Sequence, residues 1–171
     1  PRRFVIEAFR GVGKSWITSA FVCWCLMRNP HMNILVVSAS KQRADDFTTF
    51  TLRLLREIDV LAHLIPSSEQ RKSKVAFDVG PAAASHSASV TSKGITSQLA
   101  GSRADLIISD DVEVPNNSYT AAMREKLAES IKEYDAILKP GGRVVYLGTP
   151  QTEMSIYNVL PSRGYKVRIW P

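Results

Sequence analysis

The stretch Ala8-Phe9-Arg10-Gly11-Val12-Gly13-Lys14-Ser15 constrains this chain more than any other. Before it lies a short apolar run, residues 4–8, which predicts a buried strand. After it lies a longer one, residues 15–28, which predicts a buried helix stopped by Asn29-Pro30. A strand, a glycine-bearing loop ending in Gly-Lys-Ser and a helix together form a phosphate cradle. Backbone N–H groups turn inward around the anion, and the helix aims its N-terminus at it. The backbone of Gly11, Val12 and Gly13 supplies the cradle. Lys14 reaches toward the β- and γ-phosphate oxygens of a nucleotide, and the Ser15 hydroxyl is a ligand for Mg2+. One position departs from the pattern: Ala8 stands where the first glycine is usual. Arg10, inside the loop, has two readings. It touches a γ-phosphate in cis as an arginine finger does, or it faces solvent or a nearby carboxylate.

The remaining elements alternate. Residues 33–38 read as a buried strand, and residues 41–64, with Phe47, Phe50, Leu54, Ile58 and Leu61, as one amphipathic helix. Residues 74–79 and 89–93 predict an antiparallel pair. Residues 105–109 predict a buried strand, 119–138 a charged helix ending at Pro140-Gly141-Gly142, and 143–147 another strand. A short helix at 153–160 and an edge strand at 165–170 complete the chain. Apolar strands alternating with helices imply an α/β fold with a mostly parallel sheet flanked by helices. No internal repeat divides the chain, so residues 1–171 read as a single domain.

Two further strand ends carry polar groups. Leu106-Ile107-Ile108-Ser109 ends in Asp110-Asp111, with Glu113 two residues on. Ligands of a parallel sheet bind at the carboxyl ends of its strands. Asp110 therefore suits the metal and Asp111 the attacking water, with Glu113 the alternative for that second role. Without the phosphate loop upstream, the same residues would read as an acidic turn. Val144-Val145-Tyr146-Leu147 ends in Gly148-Thr149-Pro150-Gln151, where Thr149 and Gln151 are placed to sense a γ-phosphate.

Charge and composition bound the remaining classes. Lys and Arg number 22 against 16 Asp and Glu, a net charge of +6, and the whole excess lies in residues 1–75. That excess suits a polyanion or an ordinary solvated surface. No apolar run approaches the roughly 20 residues of a membrane span. Cys23 and Cys25, two apart on a helix, point in different directions, which suits neither a disulfide framework nor a metal knuckle. A chain beginning Pro1-Arg2-Arg3 reads as part of a longer polypeptide.

Taken together, the motifs resemble the ATPase domain of the large terminase subunit of tailed bacteriophages, in particular the T7-like group. The matching stretches are AFRGVGKS, ILVVSASKQRAD, FDVGPA with HS, GITSQLAGSRADLIISDDVE, REKL, VVYLGTPQTEM, RGY and IWP. The resemblance implies a P-loop NTPase of the RecA-like additional-strand type, in which the acidic strand is not the immediate neighbour of the phosphate-loop strand. It implies Mg2+-dependent ATP hydrolysis driving double-stranded DNA into a procapsid in the host cell cytoplasm. The implied partners are the portal protein, the small terminase subunit and further copies in a ring, pentameric when docked; no membrane is involved.

By position, Lys14 and Ser15 match the family's phosphate-loop pair and Arg10 its phosphate-loop arginine. Asp110 and Asp111 match the acidic motif, and Gly148-Thr149-Pro150 the coupling motif. Arg103, in GSRAD, matches a candidate trans finger for a neighbouring copy's ATP; the competing reading is a salt bridge to Asp105 or another local carboxylate. Candidate DNA-gripping cations are Lys41, Arg43, Arg71, Lys72 and Lys74, which otherwise read as solvated charge. The family's nuclease domain and its adenine-contacting segment fall outside residues 1–171. Two other functions share the nucleotide chemistry: a RecA-like helicase or translocase, and an assembly module that binds nucleotide without turnover.

Overall fold

The computed structural model describes residues 2–150 and 152–170. The first strand, β1 (Arg3–Ala8), leads through the phosphate loop into α1 (Lys14–Arg28). The second, β2 (Ile34–Ser38), is buried at every position, as a strand covered on both faces must be. Then come α2 (Lys41–Glu57), a 3-10 turn (Asp59–Leu64), β3 (Ala76–Phe77), β4 (Val90–Gly94) and β5 (Ala104–Asp110). The short α3 (Pro115–Ser118) precedes α4 (Ala121–Ile137) and β6 (Leu138–Gly148). Finally α5 (Ile156–Val159), a 3-10 turn (Leu160–Arg163) and β7 (Lys166–Trp170) close the chain.

The strands form one sheet in the order β3-β4-β2-β5-β6-β1-β7, parallel throughout except for the β3–β4 pair. The additional strand is β6: it separates the acidic strand β5 from the phosphate-loop strand β1. Register brings the carboxyl ends together. Ser38 lies opposite Asp110, Asp110 opposite Leu147, and Gly148 opposite Glu7.

Strand periodicity divides the core in two. Ile34, Val36, Leu106 and Ile108 face Val22 and Leu26 of α1 and Phe47 and Leu55 of α2. Leu35, Val37, Ile107 and Tyr146 face the other way, onto Leu127, Ile131 and Tyr134 of α4 and Ile156 and Tyr157 of α5. Successive residues of a strand point to opposite faces, so the near-continuous apolar runs of β2 and β5 serve both cores.

Several elements differ from their sequence-based expectation. The helix expected over 41–64 breaks at Ile58, whose backbone is extended at φ −108°, ψ 109°. Ile58, Asp59 and Val60 are poor helix formers, and the 3-10 turn that follows still buries Leu61 and Leu64. The helix over 15–28 is not buried all round: Trp16, Ile17, Trp24 and Met27 are exposed. The antiparallel pair is present, but β3 is two residues long. The strand expected over 143–147 extends back to Leu138 through a register shift opposite Ala104 and Leu106. The helix expected over 153–160 is one α-turn continued as a 3-10 turn. The expected edge strand, by contrast, is present as β7 and pairs parallel with β1.

Candidate nucleotide site

The loop between β1 and α1 turns on two glycines, Gly11 at φ 88° and Gly13 at φ 81°, both in the left-handed region that a side chain disfavours. Gly13 is the N-cap of α1 and makes no side-chain cap bond. The first-turn N–H groups of α1 thus remain directed at the loop, where an anion is favoured. Arg10 and Val12 lie at the exposed apex.

Lys14 is 5% exposed. Its ammonium donates to Ala8 O at 2.9 Å, Phe9 O at 3.0 Å and Thr149 Oγ1 at 3.1 Å. Thr149 in turn donates to Ala8 O at 2.7 Å. The tip of β6 is therefore joined to the phosphate-loop lysine by a direct hydrogen bond. A phosphate oxygen brought to Lys14 would compete with Ala8 O, Phe9 O and Thr149 Oγ1 for its N–H donors.

Ser15 Oγ donates to Asp110 Oδ2 at 3.1 Å, across 95 residues of sequence. Asp110 is 8% exposed. Burial, and after it the adjacent Asp111 carboxylate, push Asp110 up to about 6, against the opposing pull of the Ser15 hydroxyl, Lys14 and Arg43. Two hard oxygens at one point, one of them a carboxylate made unstable by burial, are the donor set that suits Mg2+. Asp111 is held at φ 44°, a conformation that Asp tolerates better than most side chains. Its N–H donates to Leu147 O at 2.8 Å, tying the acidic turn to β6.

The structure brings Lys14, Ser15, Asp110 and Thr149 into contact, with Asp111 beside them in the chain. Two other candidates hold bonds outside this set of contacts. Glu113 is buried, and its Oε2 accepts from Ile156 N–H at 2.7 Å. Arg103 precedes the first residue of β5, about 20 Å from Asp110 at ~3.3 Å per strand residue. It donates to Ala136 O at 3.0 Å rather than to a carboxylate. Its expected alternative partner, Asp105, is bound by Lys139 at 2.9 Å. Arg103 also lines a cavity of about 290 Å³ with His86, Ser102 and Arg71. Gln151 lies outside the described residues.

Two of the five candidate DNA-gripping cations form hydrogen-bonded ion pairs within the fold, and two more, Arg43 and Lys74, act at longer range on Asp110 and Asp45. Lys41 pairs with Asp45 at 2.8 Å, and Ser92 also donates to Asp45, at 2.5 Å. Arg71 pairs with Asp78 at 2.9 Å and donates to the carbonyls of His86 and Ser85. The side chains of Arg43, Lys72 and Lys74 are exposed.

One site feature has almost no signature in the sequence, the fit of Tyr157 onto Gly148. A Cβ on Gly148 would stand 2.1 Å from the Tyr157 ring. The glycine before Thr149 was its only visible signal.

Three strand ends meeting around a Gly-Lys-Ser loop, with an extra strand between the first and the acidic one, define a P-loop NTPase domain of the RecA-like additional-strand type. The family model for the terminase large subunit, T4likevirus-type, N-terminal, matches residues 5–138, and the chain belongs to that family. It is 54% identical over 173 residues to the terminase large subunit of Enterobacteria phage T3, a match that takes in 99% of this chain and 30% of that protein. The chain thus spans under a third of this relative's length. Among solved structures, it shares a fold with the N-terminal domain of the DNA packaging ATPase from bacteriophage phi29. There the TM-score is 0.60 at 14% identity, covering 94% of this chain and 80% of that one. A Thermus phage large terminase ATPase domain matches at TM-score 0.52 and 18% identity, covering 88% and 60%.

Proposed function

We propose that this chain is the ATP-hydrolysing motor domain of a DNA-packaging terminase, turning ATP hydrolysis into translocation of double-stranded DNA into a procapsid. The observation that carries this reading is the meeting of Ser15 with Asp110 at 3.1 Å, on the same loop whose Lys14 bonds Thr149. A fold that merely bound an anion would need the loop alone. The acidic strand end adds what phosphoryl transfer requires.

Lys14 and the loop backbone hold the β- and γ-phosphates. Ser15 and Asp110 hold Mg2+, which when bound neutralises charge on the phosphate oxygens. Asp111 orients and deprotonates the attacking water, and Arg10 stabilises charge on the equatorial oxygens. Arg103 lies too far along β5 to serve its own site, so its catalytic use is toward a neighbouring copy in a ring of five. Thr149 exchanges its bond with Lys14 as the γ-phosphate comes and goes. DNA is held through phosphate contacts that tolerate any sequence, with Arg43, Lys72 and Lys74 the available cations. The portal and the small terminase subunit complete the assembly, which works in the host cytoplasm.

The test is Asp111→Asn in the full-length protein assembled on the portal. It should keep ATP binding and lose turnover by about 100-fold or more, the usual cost of losing a general base. Wild-type turnover in that variant would remove Asp111 from the reaction.

A further inference from the structure

Glu113 is a carboxylate that the hydrolytic chemistry above leaves unused, and it is 4% exposed. A buried carboxylate is costly unless its oxygens are satisfied. Here Oε2 accepts from Ile156 N–H at 2.7 Å, at the first residue of α5. Two further bonds join the same parts of the chain. Asp111 N–H donates to Leu147 O at 2.8 Å, and the Tyr157 hydroxyl donates to the same carbonyl at 3.4 Å. The Tyr157 ring closes over Gly148 without room for a methyl group. The acidic turn, the tip of β6 and the start of α5 are thus fastened to one another by a main-chain bond and by the buried side chains of Glu113 and Tyr157. Ile156 and Tyr157 belong to the core on the α4 face, whereas α1, which starts at Lys14, packs on the opposite face. Glu113 therefore runs from the acidic turn away from the phosphate-loop helix. Beyond α5 the chain turns through Leu160–Arg163 into β7, the edge strand paired with β1.

We propose that Glu113 is a positioning residue that fastens the Asp110–Asp111 turn to α5, so that a change at the acidic carboxylates moves the α5–β7 segment with them. The proposal rests on the ATPase reading of the site. It gives the motor an output through the far edge of its sheet, distinct from the Thr149 contact that registers the phosphate. Glu113 performs no proton transfer in this scheme. It holds a main-chain N–H and acts through the residues on either side.

The experiment uses the motor assembled from the full-length protein and reads ATP binding, DNA-stimulated phosphate release and DNA length moved per ATP. In Glu113→Gln the amide oxygen still accepts from Ile156 N–H, so all three readouts should stay within about threefold of wild type. Glu113→Ala strands that N–H in the interior. It should keep ATP binding while DNA moved per ATP falls by about tenfold. Ile156→Pro removes the donor instead, at a helix position that accepts proline and after a residue whose φ of −58° and ψ of 143° suit it. It should reproduce the alanine phenotype, and it decides the matter together with Glu113→Gln if Glu113→Ala does not fold.

Loss of turnover by about 100-fold or more in Glu113→Gln, with ATP still bound, would make Glu113 a general base and overturn the proposal. Wild-type yield per ATP in Glu113→Ala or Ile156→Pro would overturn it as well. Absence of hydrolysis in the wild-type motor would instead refute the ATPase reading beneath it.

Discussion

Asp110→Asn should make the metal-free domain more stable. Asp110 titrates near 6 in the fold against an ordinary 3.8, because burial and the neighbouring Asp111 disfavour its charge. An acid whose pKa is raised on folding holds its proton more tightly folded than unfolded. The folded chain then carries more protons across the window from about pH 4 to 6, and stability falls as pH rises through it. Two pKa units at ~1.4 kcal/mol each put the full loss at about 3 kcal/mol by neutral pH. Asparagine removes the charge and keeps an oxygen to accept from Ser15 Oγ. Urea unfolding in chelator should show the variant ahead by about 3 kcal/mol at neutral pH, equal to ~6–12 °C in melting temperature for a domain of this size. The gain should vanish below about pH 4. Added Mg2+ should stabilise the wild type and not the variant. Equal stability at neutral pH, or a gain independent of pH, would refute the placement of a charged Asp110 in this buried pocket.

Gly148→Ala forces a Cβ within 2.1 Å of a Tyr157 ring that has no exposure. It should cost about 3 kcal/mol in unfolding experiments, the upper end of overpacking penalties, and Tyr157→Leu in the same chain should recover part of it. A variant that melts with the wild type would show that the ring is not held there. Arg103→Ala should leave ATP binding by its own copy intact and depress phosphate release in mixed rings out of proportion to its share. Strictly proportional loss would dismiss the trans role. Replacing Arg43, Lys72 or Lys74 by Ala should each lower the salt dependence of DNA binding by about one phosphate contact; an unchanged slope would clear that residue.

What was legible in the chain was local. Gly-Lys-Ser between a strand and a helix announces itself, and so does an apolar strand ending in Asp110-Asp111. The strand order that inserts β6 between β5 and β1 has no local signature, and only the family resemblance implies it. The helix break at Ile58 was hidden because apolar spacing continues through Leu61 and Leu64, which stay buried in the 3-10 turn. Lys41 and Arg71 looked like Lys72 because sequence does not say which cation meets Asp45 or Asp78. The bond to Glu113 is invisible in the sequence because its donor is a backbone N–H 43 residues away, a group that nearly every residue possesses. The exposure of Trp16 and Trp24 was equally invisible, since a helix apolar on most faces does not reveal which face the sheet covers.

The most direct test of the motor reading is DNA-stimulated phosphate release by the full-length protein on its portal, wild type against Lys14→Ala. Lys14 places one ammonium on Ala8, Phe9 and Thr149, at the meeting point of the loop and the tip of β6. Its loss should lower phosphate release by about 100-fold or more and stop DNA movement. Release at the wild-type rate in that variant would contradict the account at its centre.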